Sequence, residues 1–358
     1  MAASNTSSSS TLSLTPSSSP SPSPSPPSKA MAQLPPAESF DESGDLQLLV
    51  GAEGLNQARF IVCSRALSRL SPVFKSMLAA SLAEQRPDGI RDAWTVKLPR
   101  DHPESVRIIL ALAHGALHQV PRHMSLESLY RLCTCINQYD ISEALKPWVS
   151  GWCAGDKSQR SAETGPEARA KELWIAWVLG NAKMQRKAAQ ILFLETQSSE
   201  VAAVKPLDPT GVVDHIAKVQ LETAREIVSA VQTFWLDLMP AKEFGGSCAA
   251  IGDLKSKQDC EAATLGFVTA ALSREGFLPN AAPKIYESFQ VKSLSQAATR
   301  IAEDKGTTQS IFSPHGSCRS GRKLGEKLDK VMHNLPSPVP EFAQRRLAKR
   351  AKEIGAWY

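Results

Sequence analysis

Residues 44–78 read GDLQLLVGAEGLNQARFIVCSRALSRLSPVFKSML, and this stretch decides the fold. Leu46, Leu48 and Val50 alternate with other residues, which is the period of a strand buried on one face. Turn residues follow at 51–54, and Phe60-Ile61-Val62 begins a second strand, so 45–63 is expected to form a β-hairpin with a longish loop. Ser64 is placed as the N-cap of a short helix running to Leu70. Ser71-Pro72 then caps and starts another helix, because proline at the first helical position sets φ without losing a bond. Phe74, Met77 and Leu78 share one face of that second helix by their spacing.

Downstream, Trp94, Val96 and Leu98 alternate as a third strand closed by Pro99. A helix opens at Asp101 or Pro103, carries Val106, Ile109, Leu110 and Ala113 on one stripe, and ends at Gly115. Ser125 caps the next, with Leu126, Leu129, Leu132, Cys133 and Ile136 at helical spacing up to Tyr139. A third starts at Ser142 and carries Leu145, Trp148, Val149 and Trp152. The fold class is therefore α+β, a short β-sheet with a helical cluster over 44–153, followed by an all-α domain.

Upstream of the hairpin, residues 4–28 are nearly all Ser and Pro. Such composition has too little apolar surface to offset the entropy of ordering, so 1–43 is expected to be a disordered tail. Residues 154–169 are polar and carry glycine, the texture of a linker. Beyond them, 170–358 reads as a helical domain, with long helical patterns at 170–195 and 213–238 and shorter ones at 258–275, 288–303, 321–334 and 341–353.

The 358 residues leave room for about two domains. Hydrophobic residues at 42% and charged residues at 22% allow a core to be buried. The net charge of +5 is too small for a chain of this length to mark a nucleic-acid surface. No apolar run reaches the roughly 18 residues of a membrane span, so no membrane partner is expected. The first thirty residues lack the charged start and apolar core of a secretory signal, and the expected location is cytoplasmic or nuclear. Seven cysteines at irregular spacing fit a reducing compartment better than a disulfide framework.

The first domain resembles the BTB/POZ fold, and specifically the BTB proteins of filamentous fungi. The resemblance is carried by Gly44-Asp45-Leu46, Phe60-Ile61-Val62-Cys63-Ser64 leading to Leu67, Ser71-Pro72-Val73-Phe74 with Met77-Leu78, and Trp94-Thr95-Val96 with Leu98-Pro99 and Asp101. It continues in His114-Gly115 and in Tyr139-Asp140 ahead of Trp148 and Trp152. Many BTB domains have a histidine where this chain has Cys63 or Ser64. The segment 173–180 and the pattern His315-x-x-Cys318 look like the helical region that follows BTB in the fungal proteins. The resemblance implies a non-enzymatic interaction module that forms homo- or heterodimers through its first strand and helices. Some members recruit cullin ubiquitin ligases through a hydrophobic-x-Glu element after the helix that ends here at Gly115, yet 116–125 (ALHQVPRHMS) contains no acidic residue. The expected function is a dimerising scaffold or adaptor, with a substrate adaptor for a cullin-type E3 ubiquitin ligase as the alternative.

One set of residues could carry a metal. Cys248, Cys260, His315 and Cys318 supply three thiols and an imidazole, the mixture that suits a closed tetrahedral structural zinc site. The opposing reading is buried thiols with a surface histidine. His114, His118 and His123 are read as surface histidines, since the glutamate of a metalloprotease helix is missing. Cys133 joins an apolar stripe, and Cys135 lies on another face of the same helix. No Gly-x-Gly-x-x-Gly or Gly-x-Ser-x-Gly occurs, so no catalytic residues, no bound organic cofactor and no enzyme activity are expected. Trp174, Trp177 and Val178 form a set that either packs in a core or lines a peptide groove. Arg345, Arg346, Lys349, Arg350 and Lys352 make a basic helix face, either simply solvated or facing an acidic partner.

Overall fold

Apolar residues of 46–62 alternate as a hairpin requires, and the hairpin forms. In the structure, a computed structural model that describes residues 35–53, 56–84, 94–154, 164–239, 248, 253–279, 285–303 and 320–355, β2 (Leu46–Val50) pairs antiparallel with β3 (Ala58–Val62). The register sets Leu46 against Val62 and Leu48 against Phe60, so the apolar set of both strands lies on one face and is fully buried. β4 (Thr95–Leu98) adds to β2 in parallel, with Val96 beside Leu48 and Leu98 beside Val50.

The sheet has one strand more than the sequence pattern announces. β1 (Ala37–Ser39) pairs in parallel with the free edge of β3, giving the order β1-β3-β2-β4. Of the stretch 1–43 expected to be a tail, 35–43 instead belongs to the sheet and to the turn that follows it. Residues 1–34 lie outside the described residues. β1 is held at its end by Phe40, whose amide donates to Ile61 O at 2.9 Å, and by a Glu38–Arg107 ion pair at 3.0 Å.

Helices cover one face of this sheet. α1 (Ser64–Leu70) and α2 (Pro72–Glu84) follow β3, and α3 (Pro103–Ala113) follows β4. α4 (Leu126–Tyr139) begins at Ser125, whose hydroxyl accepts the Ser128 amide at 3.2 Å, the cap read from sequence. A 3-10 turn at Ser142–Leu145 leads into α5 (Lys146–Ala154). Phe60, Phe74, Ile109, Leu129, Leu132 and Trp152 form the centre of this core.

The remainder is helical: α6 (Pro166–Leu179), α7 (Ala182–Glu195), α8 (Ser198–Ala203), α9 (Val212–Asp237), α10 (Leu254–Glu275), α11 (Val291–Glu303), α12 (Ser320–His333) and α13 (Glu341–Ile354). The single helix expected over 170–195 is two. Gly180 adopts φ +71° as the left-handed end of α6, and the Asn181 side chain accepts the Met184 amide at 2.9 Å to start α7. Of the stretch assigned to a linker, 155–163 lies outside the described residues, and α6 starts inside it at Pro166. α6 joins both halves, because Ile175, Val178 and Leu179 enter the first core while Ala170 and Leu173 enter the second. α13 does the same through Ile354 and Ala343.

Candidate functional site

The residues that carry the sequence resemblance are used to tie elements together. Asp45, ahead of β2, accepts the Ser64 amide on Oδ1 at 2.7 Å and the Ser64 hydroxyl on Oδ2 at 2.6 Å. Ser64 is thus the first residue of α1 rather than its cap. Cys63 holds the cap position without a side-chain bond, and the carboxylate from Asp45 fills that role, favoured by the positive end of the helix. Burial pushes the Asp45 carboxyl up, but its two bonds from Ser64 and the nearby Arg65 outweigh this and hold it below the ordinary value. A Cβ on Gly44 would stand 2.9 Å from Val62 O, so only glycine allows this approach.

His114 corrects the surface reading given to it. Its Nε2 accepts the Cys63 amide at 3.0 Å, and its Nδ1 lies 2.9 Å from Leu110 O. The pair of partners fixes the neutral tautomer with the proton on Nδ1, because a backbone amide can only donate and a carbonyl can only accept. His118 and His123 are exposed, as expected.

Ser71 links α2 to α4: its hydroxyl donates to Tyr139 O and accepts the Phe74 amide at 3.0 Å. The Phe74 and Tyr139 rings stack with centroids 4.1 Å apart and planes 7° from parallel. Trp152 Nε1 donates to Pro121 O at 2.7 Å.

Of the four metal candidates, Cys248 and Cys260 come together. They are 9% and 3% exposed and pack against each other apart from both main cores. The Cys248 amide donates to Glu261 Oε1 at 2.6 Å, which sets residue 248 beside the first turns of α10. His315 and Cys318 lie outside the described residues. Among the described residues there is no group of three or more metal-ligating side chains; a tetrahedral site would need two further ligands beside this pair. Cys133 and Cys135 are both buried. Burial pushes their thiols up, that of Cys135 to about 12, which makes them poor nucleophiles.

Trp174 is buried, and Trp177 is half-buried between the two cores. The Trp177 ring meets Phe342 edge-on at 6.5 Å and carries the Arg346 guanidinium 5.7 Å above it. On the basic face of α13, Arg350 pairs with Glu353 at 3.1 Å and Lys349 reaches the same carboxylate at 3.8 Å. No family model matches this chain, and neither does any curated protein. No helix among the described residues is long and apolar enough to cross a membrane.

Proposed function

We propose that this chain is a non-enzymatic protein–protein interaction module of the BTB/POZ type, a scaffold that dimerises through its first strand and the helices beside it. The observation that carries the reading is how its signature residues are spent. Asp45, Ser64, Ser71, His114, Tyr139 and Trp152 each bond to another element of the same domain, so their chemistry is used in architecture. This architectural use of the polar signature supports a reading in which the domain works through the surface that its frame presents.

Multi-angle light scattering of the full chain across concentration tests the proposal. A species of twice the 38.7 kDa chain mass is expected, and a monomer at every concentration overturns self-association. Mass spectrometry of what co-purifies with the tagged protein addresses the adaptor role, which recovery of a cullin would assign.

A further inference from the structure

A cleft of about 780 Å³ lies where two distant parts of the first half, the α1–α2 junction and the end of α4 with the turn after it, meet α13. Arg69 at the end of α1 forms one corner, Asp140 and Glu143 beyond the end of α4 form one rim, and Arg346, Lys349 and Arg350 of α13 form the other. The volume is that of a ligand site. The walls, however, are mostly charged side-chain tips, which suits an extended polar chain better than a compact apolar molecule.

The charges are unevenly satisfied. Glu353 holds Arg350, whose side chain is 11% exposed, and touches Lys349. These ties anchor the α13 cations in the cleft. Arg69 and Arg346 have no carboxylate partner among the described residues, and neither Asp140 nor Glu143 has a cation there. The cleft therefore gathers cations from two elements, of which Arg69 and Arg346 are free of carboxylates while Lys349 and Arg350 share Glu353, together with the carboxylates of Asp140 and Glu143. Bringing unpaired charges of one sign onto a concave wall strengthens their field over that of a convex helix face.

We infer that this cleft docks an acidic peptide segment of a partner protein, laid along α13 between Arg69, Arg346 and Lys349, with a basic residue at one end of the segment facing Asp140 and Glu143. The inference rests on the interaction-module reading and names a face and a partner chemistry for it. The anionic rim repels a uniformly acidic chain, and so fixes the direction in which the segment lies. Because most of these groups are exposed, attraction is screened over about 10 Å at 0.1 M salt and weakens as salt rises.

The test is a fluorescence anisotropy titration of the full chain with a labelled oligoglutamate peptide ending in lysine. The wild type is compared with a cleft variant, Arg69→Glu with Lys349→Glu, and with a control, Arg225→Glu with Lys330→Glu, which reverses exposed cations on α9 and α12. The expected result is wild-type binding that weakens with salt, a loss on the order of tenfold in the cleft variant, and wild-type affinity in the control. No wild-type binding at low salt, equal losses in both variants, or an unaffected cleft variant would overturn the inference. Thermal midpoints of all three proteins check folding, and Lys349→Gln replaces the cleft variant if that protein unfolds. Light scattering on the same samples separates the two readings, since a dimer indifferent to the peptide removes the cleft and leaves the scaffold.

Discussion

The Tyr139 hydroxyl at the end of α4 donates to Asp101 Oδ2 in the turn before α3, both residues being buried. Burial raises the Asp101 carboxyl above its ordinary value of 3.8, and the bonds from Tyr139 and Gln138 offset this only in part. The folded chain thus keeps this proton at a pH where the unfolded chain has released it. Asp101 is least unfavourable below 3.8 and becomes more unfavourable as pH rises through its folded value. Tyr139→Phe removes a bond to a buried carboxylate and should cost about 2 kcal/mol or more at neutral pH. The penalty should shrink under acid conditions, and denaturant unfolding of both proteins across pH measures it. An equal penalty at every pH would show that the lost hydroxyl acts by packing alone.

The Asp45–Ser64 clamp has the opposite sign. Its folded carboxyl sits below 3.8 because the Ser64 bonds outweigh burial, so its stabilisation is present above 3.8 and is lost as pH falls through the folded value. Ser64→Ala removes the hydroxyl bond, the first of the contributions that lower the carboxyl, and leaves the Ser64 amide bond and the nearby Arg65 in place. Since Asp45 is exposed, the expected cost is about 1 kcal/mol at neutral pH. Chemical denaturation at neutral pH and again well below 3.8 should show the two proteins converging in acid.

Much of the first half was readable because local signals and tertiary use agree. Alternation in 46–50 and 58–62 marks the buried face of the hairpin, and Ser125 and Pro72 mark helix starts that the backbone adopts. β1 was not readable. Three residues after two prolines, two of them exposed, carry no apolar alternation, and their extended state is set by the β3 edge that they join. The break at Gly180-Asn181 did have a signal, a left-handed terminator followed by a capping side chain, but unbroken apolar spacing across it favours one helix. His114 could not be assigned from sequence because its partner, the Cys63 amide, lies 51 residues away. The same limit held for the thiols, where the spacing of 248 and 260 says nothing of contact until α10 and the residue before it are placed.

A structural zinc on Cys248, Cys260, His315 and Cys318 remains the proposal for that thiol pair. It predicts stoichiometric zinc in the purified full chain by elemental analysis, and loss of the metal in Cys260→Ser. Because such a site contributes its binding energy to folding, a chelator should lower the thermal midpoint of the wild type and leave Cys260→Ser unchanged. Absence of zinc from protein purified without chelator would remove the site and leave two packed thiols.

Gly180 is the position where a single methyl should matter most to the joining of the two halves. It takes φ +71°, and a Cβ there would stand 2.7 Å from Ala351 N and 2.9 Å from Ala351 Cα. Both are backbone atoms of α13, so no side-chain rotation relieves the clash. Gly180→Ala must either strain the left-handed turn that ends α6 or push α13 away, which would loosen Ile354 in the first core and Ala343 in the second. The expected destabilisation is about 2–3 kcal/mol, combining an unfavourable φ with overpacking. Hydrogen exchange distinguishes the two responses. Protection lost across 341–354 while α6 stays protected means that α13 has lifted, whereas loss confined to the 179–182 turn means that strain has been absorbed locally. A variant as stable as the wild type would show that this crossing has more room than its backbone contacts indicate.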